Sequence, residues 1–103
     1  MEKGTPHCKL SFARTLIRAG IIRAGNVRAT VSALAGGAAL GFDFDGIVGV
    51  VMALSSKDFY KSMTTRADHR IWQDVYRPTT SAGEVYVKLT VIDDVLVLSF
   101  KEL

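Results

Sequence analysis

Apolar and polar side chains alternate most clearly in the last third of the chain, from residue 59 to residue 103. This region is enriched in β-branched and aromatic residues, which is typical of half-buried β-strands, and turn-forming residues divide it into four segments. The predicted strands are FYKSMT at 59–64, RIWQDVYR at 70–77, EVYVKLTVI at 84–92 and VLVLSFK at 95–101. Because two of the three connections fit short loops, we predict an antiparallel sheet.

The last hairpin gives a specific prediction of side-chain placement. A two-residue turn at Asp93 and Asp94 sets the register of both flanking strands. The predicted pairs are Ile92 with Val95, Val91 with Leu96, Lys88 with Ser99 and Tyr86 with Lys101. The predicted core face carries Val85, Val87, Leu89, Val91, Leu96, Leu98 and Phe100, and the opposite face carries Tyr86, Lys88, Thr90, Ser99 and Lys101. This polar face fits phosphate binding, but an ordinary solvated sheet surface has the same composition.

Helical spacing replaces alternation in the first part of the chain. Apolar residues three and four positions apart predict an amphipathic helix from about Leu10 to Ala19. The motif IRAG then occurs twice within residues 17–25. Because this unit is too short for a repeat architecture, we interpret it as a lengthened loop.

A second helix is predicted from Thr30, a suitable N-cap residue, through Leu40, with Gly41 ending it. Gly36 and Gly37 each weaken its middle by about 1 kcal/mol relative to Ala.

A third helix is predicted to begin at Asp43 and Asp45 and to present apolar residues within Ile47–Leu54 to the core. The two carboxylates lack the further oxygen ligands of a calcium loop, so we interpret them as helix-start residues. Ser55–Asp58 has the spacing of a capping box and predicts one helical turn before the first strand.

Composition is consistent with one soluble globular domain spanning residues 1–103, since 49% of the residues are hydrophobic and 22% are charged. The longest apolar run, residues 47–54, is too short to span a membrane, and the N-terminus lacks the apolar core of a secretory signal. We therefore expect a cytoplasmic protein with no membrane partner. A single cysteine, Cys8, excludes an internal disulfide and a zinc site of several cysteines.

Positive charge is concentrated in residues 1–42, where six Lys and Arg residues accompany only one acidic residue, Glu2. Such a distribution favours a polyanionic partner, RNA or DNA. It is also common on proteins that bind no nucleic acid, so the charge alone leaves the partner open.

Few side chains are suited to catalysis by a nucleophile or a metal. Asp68 and His69 are adjacent, but no Ser or Cys nucleophile with a recognisable signature accompanies them, and His7, His69 and Cys8 form no metal motif. Metal-free chemistry on phosphate, using Lys, Arg, Tyr, Gln and His, remains. RNA suits such chemistry because its 2′-hydroxyl supplies the nucleophile.

Six segments of the chain resemble the motility quorum-sensing regulator toxins of bacterial toxin-antitoxin systems. They are MEKGTPH, LGFDFDG, DFYKSMTT, DHRIWQDVYRP, EVYVKLTVI and DVLVLSFKE. The resemblance implies an α+β, RelE-like ribonuclease fold with N-terminal helices packed on a C-terminal antiparallel sheet. It also implies an mRNA endoribonuclease that works without the ribosome, without a metal or other cofactor and at GCU-type sites. Its expected partners are mRNA and a zinc-binding antitoxin with a helix-turn-helix.

The resemblance also implies the site residues. The expected catalytic residues are Lys61, Gln73, Tyr86 and Lys101, and the expected substrate-binding residues are Tyr60, Met63, His69 and Arg77. A compatible strand register sets Lys61 opposite Gln73 and Gln73 opposite Tyr86, so that the four catalytic residues form one row.

In the mechanism that we infer, Lys61 and Lys101 hold the scissile phosphate and its developing charge, while Tyr86 and Gln73 position the 2′-hydroxyl or the leaving oxygen. Tyr60 stacks on a base. A free tyrosine, with a pKa of about 10, is a poor base at neutral pH.

Two other functions remain open alternatives from the sequence. One is a non-catalytic regulator that binds nucleic acid or protein. The other is an interaction domain whose sheet edge pairs with a partner strand.

Overall fold

The computed structural model describes residues 2–7, 10, 27–65, 68, 70–91 and 95–103. Within these residues the fold is α+β, with two helices and a mostly antiparallel sheet. The strands are β1 (Glu2–Lys3), β2 (Val27–Ala29), β3 (Phe59–Thr64), β4 (Trp72–Tyr76), β5 (Thr79–Thr80), β6 (Gly83–Val91) and β7 (Val95–Glu102). The helices are α1 (Val31–Ala39) and α2 (Phe44–Met52), and a 3₁₀ turn at Ser56–Asp58 precedes β3.

The strands lie in the order β1-β3-β4-β6-β7-β2, and β5 pairs with β6. The four strands predicted in the last third are confirmed and pair with one another as antiparallel neighbours. Strands β1, β2 and β5 are too short to show alternation in the sequence. The prediction of an entirely antiparallel sheet is wrong at one edge, because β2 pairs with β7 in parallel.

The hairpin of β6 and β7 differs from its predicted register near the turn. Val91 pairs with Val95, so the connection contains residues 92–94 rather than a two-residue turn. The register then shifts between Leu89 and Lys88, which leaves Leu98 as an extra residue in a β-bulge. Because this bulge compensates for the longer connection, the predicted pairs Lys88 with Ser99 and Tyr86 with Lys101 are confirmed.

The bulge also changes which residues of β7 enter the core. Val95 and Val97 are fully buried, whereas Leu96 and Leu98, predicted to be core residues, are half-buried. An extra residue reverses the alternation of all side chains on one side of it. The main core cluster contains Ala33, Ile47, Val51, Leu54, Tyr76, Val85, Val87, Leu89, Val95, Val97 and Phe100.

Both helices begin at the predicted caps. The Thr30 hydroxyl accepts a hydrogen bond from the Ala33 N–H at 3.1 Å, and the Asp43 carboxylate accepts one from the Gly46 N–H at 2.7 Å. Helix α1 ends before Gly41, whose φ of +86° is readily adopted by glycine. The predicted turn at Ser55–Asp58 is also present, with the Ser55 N–H donating to Asp58 at 2.9 Å.

Gly36 has a packing role that its helix propensity does not indicate. A Cβ atom at this position would lie 1.9 Å from the carbonyl oxygen of Phe100 in β7. Helix α1 therefore lies against β7 at a separation that only glycine permits at residue 36.

The predicted helix from Leu10 to Ala19 and the IRAG repeat lie outside the described residues, except for Leu10, which packs against the core. No single described helix is long and apolar enough to cross a membrane; α1 and α2 meet that test only as a pair, which is bent by 91°.

Candidate functional site

Strand pairing assigns seven partly exposed side chains of the central strands to the face of the sheet opposite the main core. This assignment holds because alternate residues of a strand share a face and directly paired residues lie side by side. We call this surface the polar face. Its members are Lys61 and Met63 in β3, Gln73 in β4, Tyr86 and Lys88 in β6, and Ser99 and Lys101 in β7. All four predicted catalytic residues belong to it.

Tyr86 and Lys101 form the closest pair among the predicted catalytic residues. They are direct partners in the β6–β7 ladder, and the Lys101 Nζ lies 5.0 Å from the centre of the Tyr86 ring. Lys101 is exposed and Tyr86 is half-buried. The pair therefore presents a cation and a phenol together at an accessible surface.

Lys61 does not face Gln73 as the sequence interpretation expected. Lys61 pairs with Val75 and Met63 pairs with Gln73, because the ladder of β3 and β4 closes at Thr64 and Trp72 and its connection is two residues longer than the predicted register requires. A separate register shift between Phe59 and Lys61 leaves Tyr60 as an extra residue in β3. Val75 lies on the same side of the sheet as the polar face, but its side chain is fully buried. Val75 also pairs with Lys88 of β6. Lys61 and Lys88 consequently flank an apolar position in the middle of the polar face.

Gln73 does not face Tyr86 either. Because Val75 pairs with Lys88, Gln73 is level with Thr90, four residues along β6 from Tyr86. At a rise of about 3.3 Å per residue this offset is about 13 Å along the strand. The predicted single row is therefore wrong. Tyr86 and Lys101 form one group, Met63 and Gln73 form another, and Lys61 lies between them.

Glu2 is a residue of this surface that the sequence interpretation missed. It pairs with Met63 across β1 and β3, and its Oε1 lies 2.7 Å from the Lys61 Nζ. The Glu2 side chain is 58% exposed and the Lys61 side chain is 30% exposed, so solvent and ligands can reach both. No pattern in the sequence signals this contact, because β1 is only two residues long.

The ion pair changes the acidity of both partners. The hydrogen bond from Lys61, followed by its charge, lowers the pKa of Glu2 below its usual 4.5. The hydrogen bond to Glu2 raises the pKa of Lys61 above its usual 10.5, against an opposing effect of desolvation, and nearby Tyr60 and Tyr86 raise it further. Glu2 is therefore anionic and Lys61 cationic at neutral pH.

Tyr60 and Arg77 form a second part of the surface, beside the bulge in β3. The guanidinium carbon of Arg77 lies 4.7 Å from the centre of the Tyr60 ring, and the Lys61 Nζ lies 5.5 Å from it. Tyr60 is 50% exposed. Both residues line a cavity of about 240 Å³ together with Lys57, Asp58, Phe59, Glu84 and Leu103. An exposed aromatic ring held between cations is suited to stacking on a nucleobase.

His69 lies outside the described residues, so the prediction that it contacts substrate stays a prediction. Within the described part of the chain, no three His, Cys, Asp or Glu side chains are grouped to hold a metal ion.

The segment that carries Glu2 is held by contacts with β4. The His7 N–H donates to the buried carboxylate of Asp74 at 2.9 Å, and this carboxylate also accepts from the Ser62 hydroxyl at 2.6 Å. The His7 ring stacks on Trp72 at a centroid distance of 5.5 Å, and the Lys3 Nζ lies 4.2 Å from the centre of the Trp72 ring. We call residues 2–7 the N-terminal arm. These contacts position Glu2 beside β3.

Comparison with known proteins gives two matches. The model of a family described as "Motility quorum-sensing regulator, toxin of MqsA" matches residues 5–102. The chain is also 57% identical over 102 residues to the "mRNA interferase toxin MqsR" of Escherichia coli strain K12, with 99% of each chain covered.

Proposed function

Because the chain belongs to the motility quorum-sensing regulator toxin family, we propose that it is a toxin that cleaves messenger RNA internally. The observation that carries this proposal from the structure is the polar face, where Tyr86 and Lys101 lie on the neighbouring strands β6 and β7, and Lys61 lies on β3 with only β4 between it and β6. A partly exposed group of cations and hydrogen-bonding side chains is what phosphodiester cleavage by the RNA's own 2′-hydroxyl requires.

In the proposed mechanism, Lys61 and Lys101 bind the scissile phosphate and stabilise the negative charge that develops on it. Tyr86 lies beside Lys101 and hydrogen bonds to the oxygen that leaves. Gln73, which pairs with Met63, contacts the nucleotide on the far side of Lys61 from Tyr86. The register is consistent with this division of roles, because Gln73 and Tyr86 are offset by four residues along neighbouring strands.

Base recognition is assigned to the surface beside the bulge. Tyr60 stacks on a base next to the scissile phosphate, and Arg77 binds a phosphate or a base edge there. Met63 and His69 are the further substrate-binding residues in this proposal. The finer specificity that we propose is cleavage at GCU-type sequences, without the ribosome and without a metal.

The proposal extends to the setting in which the toxin acts. Residues 1–103 form a single RelE-like toxin domain that acts in the cytoplasm. A cognate antitoxin, which binds zinc and carries a helix-turn-helix, holds the toxin inactive.

The decisive experiment incubates the purified chain, in EDTA, with an RNA containing one GCU and with a scrambled RNA of the same composition. We expect cleavage at GCU only, with a 5′-hydroxyl end on the downstream product, since attack by the 2′-hydroxyl leaves the phosphate on the upstream fragment. In parallel, Lys101→Ala is expected to cleave about 10²- to 10³-fold more slowly, because one stabilising charge is lost.

Products with 5′-phosphate ends, or equal cleavage by Lys101→Ala, would contradict the mechanism. If folded protein binds the RNA but does not cleave it, the non-catalytic regulator becomes the better interpretation. RNA binding whose affinity does not change with salt concentration would instead favour a protein-interaction domain, since contacts with phosphate weaken as the salt concentration rises.

A further inference from the structure

Cleavage through the 2′-hydroxyl requires a group that accepts its proton, and the predicted catalytic residues supply none that is suited to neutral pH. Lysine is protonated there, glutamine does not titrate, and a free phenol is a poor base. Among the described side chains assigned to the side of the sheet that carries the polar face, the carboxylates are those of Glu2 and Glu84. A carboxylate that stays ionised is a chemically suitable proton acceptor.

Glu2 is the better placed of these two carboxylates. Its Oε1 contacts the Lys61 Nζ at 2.7 Å, whereas Glu84 pairs with Thr79 at the other end of β6 and lines the cavity beside Tyr60. In RNA, the 2′-hydroxyl of a nucleotide lies within a few ångströms of the oxygens of its 3′-phosphate. A base that serves the hydroxyl must therefore be a close neighbour of the cation that serves the phosphate.

The N-terminal arm holds Glu2 in place through contacts that do not involve Lys61. Glu2 and Lys3 pair with Met63 and Ser62 of β3, and the far end of the arm is tied to the buried Asp74 through the His7 N–H. The side chain of Glu2 is nevertheless 58% exposed, so a bound nucleotide can reach it. The backbone of Glu2 is thus held beside β3, while its carboxylate stays accessible.

We propose that Glu2 is the general base of the reaction and takes the proton of the attacking 2′-hydroxyl. This proposal rests on the proposed ribonuclease function. The 2′-oxygen forms a bond to phosphorus while the bond from phosphorus to the 5′-oxygen breaks, and the proton of the 2′-hydroxyl passes to Glu2. The departing 5′-oxygen takes a proton from the Tyr86 hydroxyl. The products are a 2′,3′-cyclic phosphate and a 5′-hydroxyl, and the proton on Glu2 returns to Tyr86 through water.

The electrostatics of the pair determine the charge state of Glu2. The charged groups that act on Glu2 are Lys61 from β3 and, with a smaller effect, the amino terminus of the chain. Both lower the pKa of Glu2, which keeps the carboxylate ionised throughout the neutral range but also makes it a weaker base. A scissile phosphate that shares Lys61 with Glu2 weakens this ion pair and so restores part of the basicity of the carboxylate.

The test compares Glu2→Gln with the parent in single-turnover cleavage at saturating protein, from about pH 3 to pH 8 and over the range in which both remain folded. We expect Glu2→Gln to cleave about 10²- to 10⁴-fold more slowly at neutral pH. The parent rate should fall as the pH drops through the pKa of Glu2, and this acid limb should be missing from the variant.

Binding is measured separately, with the same RNA carrying a 2′-deoxy nucleotide at the cleavage position so that it cannot react. Glu2→Gln should bind this RNA as tightly as the parent or more tightly, because the lost group is a negative charge that touches Lys61. Glu102→Gln is the matched control. Glu102 is exposed and, by alternation from Lys101, belongs to the opposite side of the sheet, so its cleavage rate should equal that of the parent.

Two results would overturn the proposal while leaving the ribonuclease function intact. A Glu2→Gln rate within about twofold of the parent would exclude Glu2 as the base. A variant that cleaves faster and binds RNA more tightly would show that Glu2 only competes with the phosphate for Lys61. Loss of the proposed function itself would appear differently, as a parent protein that fails to cleave.

Discussion

Lys61 connects the separate groups of the candidate site. Its ammonium contacts the Glu2 carboxylate and lies 5.5 Å from the centre of the Tyr60 ring, and Tyr86 contributes to its raised pKa. An ion pair this exposed contributes little to stability, because both partners are well hydrated when separated. We therefore expect substitution of Lys61 to affect the chemistry of the site far more than the folding of the protein.

The acidity of Glu2 gives a direct test of the ion pair. In Lys61→Met, the pKa of Glu2 should rise back toward its usual 4.5, since the hydrogen bond and the charge that lower it are both lost. The measurement is a carbon-13 NMR titration of the Glu2 side-chain carboxyl. Lys57→Met, which removes an exposed lysine of the 3₁₀ turn, should leave this pKa unchanged.

The sign of the pH dependence follows from the same shift. The pKa of Glu2 is lowered in the folded protein, so the stabilisation from the ion pair is complete above the usual carboxyl pKa and is lost as the pH falls through the lowered value. A Glu2 pKa at or above its usual value in the parent would show that the pair does not form in solution.

Helix α1 and strand β7 illustrate how packing between elements overrides local preference. Considered alone, Gly36 is a weak point in a helix. In the folded protein it lets the helix backbone approach the carbonyl of Phe100, and it lies three residues after Ala33, which is fully buried. Since β7 also carries Lys101, this contact supports the strand on which part of the candidate site is built.

Substituting alanine at Gly36 should separate the effect of helix propensity from the effect of close packing between α1 and β7. The new Cβ would overlap the Phe100 carbonyl, so α1 must shift away from β7, and we expect the free energy of unfolding to fall by about 1–3 kcal/mol. Gly49→Ala is the control, because a Cβ there meets nothing within 4 Å, and the better helix propensity should stabilise the protein by about 0.5–1 kcal/mol. Urea denaturation followed by circular dichroism measures both. Equal stabilisation by the two substitutions would contradict the close approach.

Over the whole molecule, the sheet separates an apolar core from a cationic surface. Lys61, Lys88 and Lys101 belong to the polar face, and Arg77 lies at its edge beside Tyr60. A single-stranded RNA that crosses this surface can place successive phosphates near these cations. Each such contact releases bound counterions from the RNA, which makes the binding dependent on salt.

The salt dependence of RNA binding should therefore report the number of contacts. With three or four phosphates bound, the slope of log K against log salt concentration should be about −2 to −3, from about −0.7 per contact on a single strand. Lys101→Ala should make this slope less steep by about 0.7. Fluorescence anisotropy with an RNA that carries a 2′-deoxy nucleotide at the cleavage position measures both values. A slope near zero would exclude the polar face as an RNA-binding surface.

Local patterning was enough to identify most of the described elements, because alternation, capping and turn chemistry act between residues that are close in the chain. The four long strands follow from alternation, and the starts of α1 and α2 follow from the side-chain chemistry of Thr30 and Asp43. The same parity argument placed Tyr86 beside Lys101. The choice of Lys61 and Gln73 as site residues came from resemblance to a known family and not from the pattern.

The arrangement of the candidate site, in contrast, depends on contacts between segments that are far apart in the chain. The ladder of β3 and β4 closes two residues later than the predicted register assumed, which moves Lys61 from Gln73 to Val75. Bulges add an extra residue at Tyr60 and another at Leu98, and the second restores the pairing of Tyr86 with Lys101. Neither bulge has a local signature, since each is set by how a strand packs against its neighbour. Glu2 reaches Lys61 only because residues 2–7 fold back onto β3 and β4. The identities of the chemical groups could thus be inferred from the sequence, whereas their distances required the folded chain.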